Sequence, residues 1–151
     1  MMNKKDFSIV CIGAGNVATH LVRALQQKGF HLSQIYSRTQ ESAQALAQIL
    51  GCAWTTCLEQ VDEHADLYIV SVKDAVLETN NSQLAHCNPD ALYLHTAGSM
   101  PMEVWKGKFK NYGVAYPMQT FSKQREVNFE EVPFFLEANS PENLSLLQEI
   151  A

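Results

Sequence analysis

Apolar residues along this chain fall into two alternating rhythms. Short, nearly unbroken runs such as Ile9-Val10-Cys11-Ile12, Leu67-Tyr68-Ile69-Val70-Ser71-Val72 and Ala91-Leu92-Tyr93-Leu94-His95 have the character of strands buried on both faces of a parallel sheet. Between such runs the apolar spacing lengthens to that of helices. The stretch leading to Gly29 reads as an amphipathic helix, and Gln40 to Leu50 sets Ala43, Leu46, Ala47 and Leu50 on one face before stopping at Gly51. Leu32 to Ser37 is a second strand, Cys52 to Thr56 a short third, Leu58 to Val61 a brief helical turn, and Leu67 to Val72 the central fourth strand. Asn80, Asn81 and Ser82 divide the next crossover into two short helical pieces, which Pro89-Asp90 closes as a turn. A fifth strand follows over Ala91 to His95, then a helix over Met102 to Lys106 entered through Pro101. Tyr112 to Tyr116 and Val132 to Leu136 are further strands, and Ser140-Pro141-Glu142 opens a final helix with Leu144, Leu147 and Ile150 at apolar spacing. The alternation predicts an α/β fold: a doubly wound, mostly parallel sheet with right-handed connections.

The chemistry is concentrated where the first strand meets the first helix. Gly13-Ala14-Gly15-Asn16-Val17-Ala18 supplies small residues at the spacing of a dinucleotide-binding turn. Gly13 permits the tight turn, Gly15 lets the backbone approach a pyrophosphate, and Ala18 leaves room for helix and strand to pack. The N–H groups and dipole of the helix start face the anion. An incidental glycine turn is the competing explanation, and the placement between a buried-type strand and a helix ending at Gly29 favours nucleotide binding.

The end of the second strand narrows the ligand. NAD sites place an Asp or Glu there for the ribose 2′-hydroxyl, whereas this chain reads Ser37-Arg38-Thr39, with no carboxylate before Glu41. Hydroxyls and a guanidinium are groups that hold a 2′-phosphate, which favours NADP. Ser37 or Thr39 can also cap the next helix, a role that coexists with phosphate binding.

Other candidates sit at the carboxyl ends of later strands, the edge where open α/β sheets bind ligands. Val72 and Lys73 follow the fourth strand, with Asp74 better suited to capping a helix than to catalysis. Thr96-Ala97-Gly98-Ser99 follows the fifth, where small and hydroxylated residues let a flat ring or carboxylate approach. His95 suits a hydrogen-bonded structural role at least as well as proton donation. No catalytic acid or base is assigned.

Composition bounds the rest. A chain of 151 residues with 46% hydrophobic and 18% charged residues suits one globular core. The net charge of -5 argues against general nucleic-acid affinity. The charged N-terminus precedes only a strand-length apolar run, so the expectation is a cytoplasmic protein without signal peptide or membrane span. Cys11, Cys52, Cys57 and Cys87 lack zinc-ligand spacing: Cys11 belongs to the core, the others read as reduced thiols, and no metal site is expected.

Through IGAGNVATHL, YSRT, VSVKD, LHTAGSM and YPMQTF the chain resembles, over nearly its whole length, the Rossmann-like NADP oxidoreductase family that carries a helical C-terminal domain of unknown function. That family is related to pyrroline-5-carboxylate reductase and the β-hydroxyacid dehydrogenases. The resemblance implies the Rossmann NAD(P)-binding fold, with pyrophosphate at Gly13, Ala14, Gly15, Asn16 and Val17 and the 2′-phosphate at Ser37, Arg38 and Thr39. It also implies a nicotinamide flanked by Val72, Lys73, Thr96, Gly98 and Ser99. Family members commonly carry His-Pro-Leu-Gln-Thr-Phe where this chain reads Tyr116-Pro117-Met118-Gln119-Thr120-Phe121, so no acid/base role passes to Tyr116. The expected organisation is a dinucleotide-binding domain over 1–138, with 139–151 beginning a helix toward a C-terminal domain absent here. Such a domain would complete the substrate pocket and a homodimer. The leading expectation is an NADP-dependent oxidoreductase acting on a small carbonyl, imine or hydroxy acid. The alternative is a non-catalytic NADP-binding or sensing module. A third ligand class, FAD or S-adenosylmethionine, is disfavoured because neither carries a ribose 2′-phosphate.

Overall fold

In a computed structural model that describes residues 7–13, 16–71, 87–96, 109–117 and 134–150, the apolar runs become one seven-stranded sheet. Its strands are β1 (Ser8–Ile12), β2 (His31–Tyr36), β3 (Ala53–Thr55), β4 (Leu67–Val70), β5 (Leu92–His95), β6 (Asn111–Pro117) and β7 (Phe134–Ala138). The order across the sheet is β3-β2-β1-β4-β5-β6-β7, which puts β4 at the centre. All neighbours are parallel except β6 and β7, which pair antiparallel, and β3 and β7 are the edge strands. Among the described residues the helices are α1 (Asn16–Gln27), α2 (Gln40–Leu50) and α3 (Pro141–Ile150), and a 3₁₀ turn spans Leu58–Gln60.

Strand ends differ from the sequence reading by one or two residues. Strand β2 stops at Tyr36 and β3 keeps only Ala53–Thr55, because the next residues spend their backbone groups on loop bonds such as Ser37 N–H to the Thr55 carbonyl at 3.2 Å. Strand β7 begins at Phe134 and runs to Ala138, where Asn139 donates its N–H to the Tyr112 carbonyl. The helix punctuation matches its chemistry. Thr39 caps α2 by accepting from the Ser42 N–H at 3.3 Å, and Gly51 ends it in the left-handed region at φ 71° with its N–H on the Ala47 carbonyl at 2.7 Å. Ser140 caps α3 by accepting from the Asn143 N–H at 3.1 Å.

Alternation along the strands sorts the core into two layers. Ile9, Cys11, Leu67, Ile69, Leu92 and Leu94 point to one face, where Ala18, Val22 and Leu25 of α1, Leu46 and Leu50 of α2 and Leu147 of α3 cover them. Val10, Ile12, Tyr68, Val70 and Tyr93 point to the other, among Leu58, Val61, Ala65, Cys87 and Ala91. On that second face Tyr68 and Tyr93 stack at 4.9 Å, and Tyr93 stacks on Phe109 at 3.7 Å. Both stacked phenols keep a partner: Tyr68 donates to the Asp62 carbonyl and Tyr93 to that of Asn88. Among the described residues no helix is long and apolar enough to cross a membrane, and no group of His, Cys, Asp and Glu could hold a metal ion.

Candidate dinucleotide site

The parallel registers bring the carboxyl ends of five strands to one edge. Ile12 is level with Tyr36 and Val70, Tyr36 with Thr55, and Val70 with His95. The residues that follow, Gly13, Ser37, Ser71 and Thr96, therefore line up side by side although they are far apart in sequence. Helix α1 runs back against the strands, so its amino end at Asn16 opens on the same edge.

Gly13 is the tightest point of that edge. Its φ is +122°, and its N–H donates to the Tyr36 carbonyl at 2.7 Å. A Cβ there would stand 2.1 Å from the Ser71 carbonyl oxygen, so only glycine fits. Ser71 in turn donates its N–H to the Ile12 carbonyl at 2.8 Å, binding the end of β4 to the turn that leaves β1. On the other side, Thr96 donates its hydroxyl to Ser71 Oγ at 2.9 Å. Both hydroxyl residues are half-buried.

One strand away in the opposite direction, Ser37 is half-buried while Arg38 and Thr39 are exposed at the start of α2. The Thr39 oxygen accepts the cap bond, which leaves its proton to donate outward. No ion pair among the described residues engages the Arg38 guanidinium. This donor set, two hydroxyls and a guanidinium at a helix start, fits an exposed phosphate.

The structure thus brings together Gly13, Ser37, Arg38, Thr39 and Thr96, with Asn16 and Val17 as the first residues of α1. Ala14, Gly15, Val72, Lys73, Gly98 and Ser99 lie outside the described residues, as do Asp74, the helix expected over Met102 to Lys106 and the segment Met118 to Phe121. His95 is fully buried at the end of β5. Sequence reasoning does not single out Ser71; its signal is a polar residue where the alternation of Leu67 and Ile69 calls for an apolar one. Among the described residues the cysteines join no group of His, Cys, Asp and Glu that could hold a metal ion. Burial pushes the Cys11 thiol up to about 12, with Cys52 a lesser influence, and the Cys87 thiol up to about 11, so both stay protonated, while Cys57 is exposed.

A parallel sheet whose central strand ends meet a glycine turn and a helix start defines a Rossmann-type dinucleotide-binding domain. The chain belongs to the family described as NADP oxidoreductase, coenzyme F420-dependent, which it matches over residues 8–97. A nicotinamide nucleotide is the cofactor that this membership implies. No curated protein matches the chain. Among solved structures, an NADP oxidoreductase assignment from Bacteroides fragilis shares 53% identity, with a TM-score of 0.93 over 98% of this chain and 57% of that one. A pyrroline-5-carboxylate reductase from Coxiella burnetii superposes with a TM-score of 0.78 at 21% identity, over 98% of this chain and 56% of its own. Prephenate dehydrogenase from A. aeolicus does so at 0.80 and 15%, over 97% and 56%. The last two share the fold. The chain spans little more than half the length of each of these structures.

Proposed function

We propose that this chain is the cofactor-binding part of an NADP-dependent oxidoreductase that moves hydride between NADPH and a small carbonyl, imine or hydroxy acid. The observation that carries the reading is the row formed by the Ser37-Arg38-Thr39 loop, the Gly13 turn and the Ser71–Thr96 pair along one sheet edge. Arg38 and the hydroxyls beside it hold the 2′-phosphate by charge-assisted bonds. Gly13, Ala14, Gly15, Asn16 and Val17 form the turn and helix start for the pyrophosphate. Val72, Lys73, Thr96, Gly98 and Ser99 flank the nicotinamide. When bound, the nicotinamide supplies or accepts the hydride, and the protein's part is to orient it and to exclude water. Residues 139–151 begin the connection to a C-terminal helical domain that completes the substrate pocket and pairs two subunits in the cytoplasm. What supports a further domain is that the chain accounts for only 57% of the Bacteroides fragilis structure.

Direct titration with NADPH and NADH, followed by cofactor fluorescence, tests it. NADPH should bind roughly ten- to a hundredfold more tightly, the worth of one or two charge-assisted bonds. Arg38→Ala should erase that preference by weakening NADPH while leaving NADH unchanged. Equal affinities, both indifferent to Arg38→Ala, overturn the 2′-phosphate assignment. NADPH binding by a chain that, together with its C-terminal domain, turns over no carbonyl, imine or hydroxy acid would favour the sensing module.

A further inference from the structure

Two large apolar side chains stand exposed among the described residues, Ile49 at 58% and Trp54 at 36%, and the fold sets them on adjoining elements. Ile49 lies in the last turn of α2, which packs against β2 and β3, and Trp54 is the middle residue of β3. Trp54 is level with Ile35, whose side chain lies in the core layer shared with α1 and α2, so the indole emerges on the side of the sheet that α2 covers. From Ser42 to Leu58 the chain carries no Asp, Glu, Lys or Arg, although 18% of its residues are charged. Ala45, Gln48 and Ala53 are exposed in the same stretch and extend the uncharged surface around the two large residues. The centres of protein interfaces are depleted of charge in this way.

Strand β3 is also an open edge of the sheet. The Thr55 carbonyl accepts from the Ser37 N–H, so Thr55 turns its backbone toward β2 and, by alternation, Trp54 turns its N–H and C=O outward. Edge strands are commonly guarded by a charged side chain. The opposite edge, β7, carries the exposed Glu137, whereas Ala53, Trp54 and Thr55 offer no such guard. A foreign strand would find one residue whose backbone it can pair, which is too little to hold it. A second copy of this chain finds more. Under a two-fold axis through Trp54 the outward N–H and C=O each meet their counterpart, an antiparallel pair with Cα atoms about 5.5 Å apart. The two indoles then lie side by side on one face, with Ile49 on the adjoining helix of each copy. Each copy has a net charge of -5, and at this seam two copies meet without bringing like charges together. We infer that the β3 edge, with Trp54 at its centre and Ile49 flanking it, is a two-fold interface between copies of this chain, separate from any pairing through a C-terminal domain.

Fewer residues take part than the roughly 20–30 a side of a standard interface, so the association is weak and follows concentration. Sedimentation velocity at about 1 to 300 µM should show the mass moving from 16.9 kDa toward twice that value. Added salt should favour the dimer, because it screens the repulsion between two negative chains. Trp54→Lys and Ile49→Lys should each hold the chain monomeric across that range, with melting temperatures near wild type because both positions are exposed. Trp54→Glu should do the same. A one-to-one mixture of Trp54→Lys with Trp54→Glu should restore association at low salt, since a two-fold axis through this position sets the two new side chains opposite each other. A wild-type chain that stays monomeric leaves the patch to a different protein and overturns the inference. So does association that survives both lysine substitutions, which belongs to another face, and so does a mixture that stays monomeric.

Discussion

Gly13 and Ser71 meet so closely that a Cβ on Gly13 would lie 2.1 Å from the Ser71 carbonyl oxygen. The contact couples the turn after β1 to the end of β4, and it is made of backbone on both sides, so neither partner can swing away. Gly13→Ala must both adopt a φ near +122° and push β4 aside. We expect a loss of about 3 kcal/mol or more. Thermal denaturation should show a melting temperature lower by roughly 6–12 °C, together with loss of dinucleotide binding.

Thr39 serves α2 as its cap and faces the candidate phosphate site, and the two roles can be separated. Thr39→Ala should cost about 1 kcal/mol through the lost bond from the Ser42 N–H and should also weaken NADPH. Thr39→Ser, which keeps the oxygen, should restore both. A variant that regains stability in denaturant titration without regaining affinity would confine Thr39 to capping.

Alkaline pH should destabilise the fold through its buried thiols. Cys11 has its thiol raised by burial from 9.0 to about 12, so the folded chain holds that proton where the unfolded chain has lost it. The stabilisation is complete below pH 9 and is lost as pH rises from there toward 12, at up to about 1.4 kcal/mol per pH unit for this group. Cys87 is raised in the same direction. Urea melts between pH 8 and 11 should show the decline, and Cys11→Ala should flatten part of it. At neutral pH a thiol reagent should modify the exposed Cys57 quickly and the buried Cys11 and Cys87 only on unfolding.

Leu147 ties the last helix to the sheet. It is 2% exposed and shares the core with Ile69, Leu94 and Ala115. Leu147→Ala should cost about 2–5 kcal/mol, as for other truncations in packed cores, and should lower the melting temperature of the whole domain in one transition. A shift within the error of the melt would mean that α3 stands outside the cooperative unit.

Much of this arrangement is legible residue by residue. The strand-turn-helix around Gly13 is readable because small residues at fixed spacing have few other physical uses, and the α2 boundaries are readable because Thr39 and Gly51 act locally. The Ser37-Arg38-Thr39 loop is readable because a missing carboxylate is a local fact. The role of Ser71 is not, since a serine after an apolar run is common and its meaning depends on Gly13 and Thr96, residues 58 and 25 positions away. The Tyr68–Tyr93–Phe109 stack is hidden in the same way: each aromatic alone reads as core, and only strand pairing sets the rings together.

By itself the sequence determined which of the described segments are strands and helices, where α2 and α3 start, and which loops carry groups suited to phosphate. These depend on backbone propensity, capping and periodicity, which act within a few residues. Tertiary structure alone decided the order β3-β2-β1-β4-β5-β6-β7, the antiparallel turn of β7 and the juxtaposition of Gly13, Ser71 and Thr96 on one edge. The physical reason is that neighbours in a parallel sheet are joined through long crossovers, so their register is set by packing across both faces rather than by any local signal.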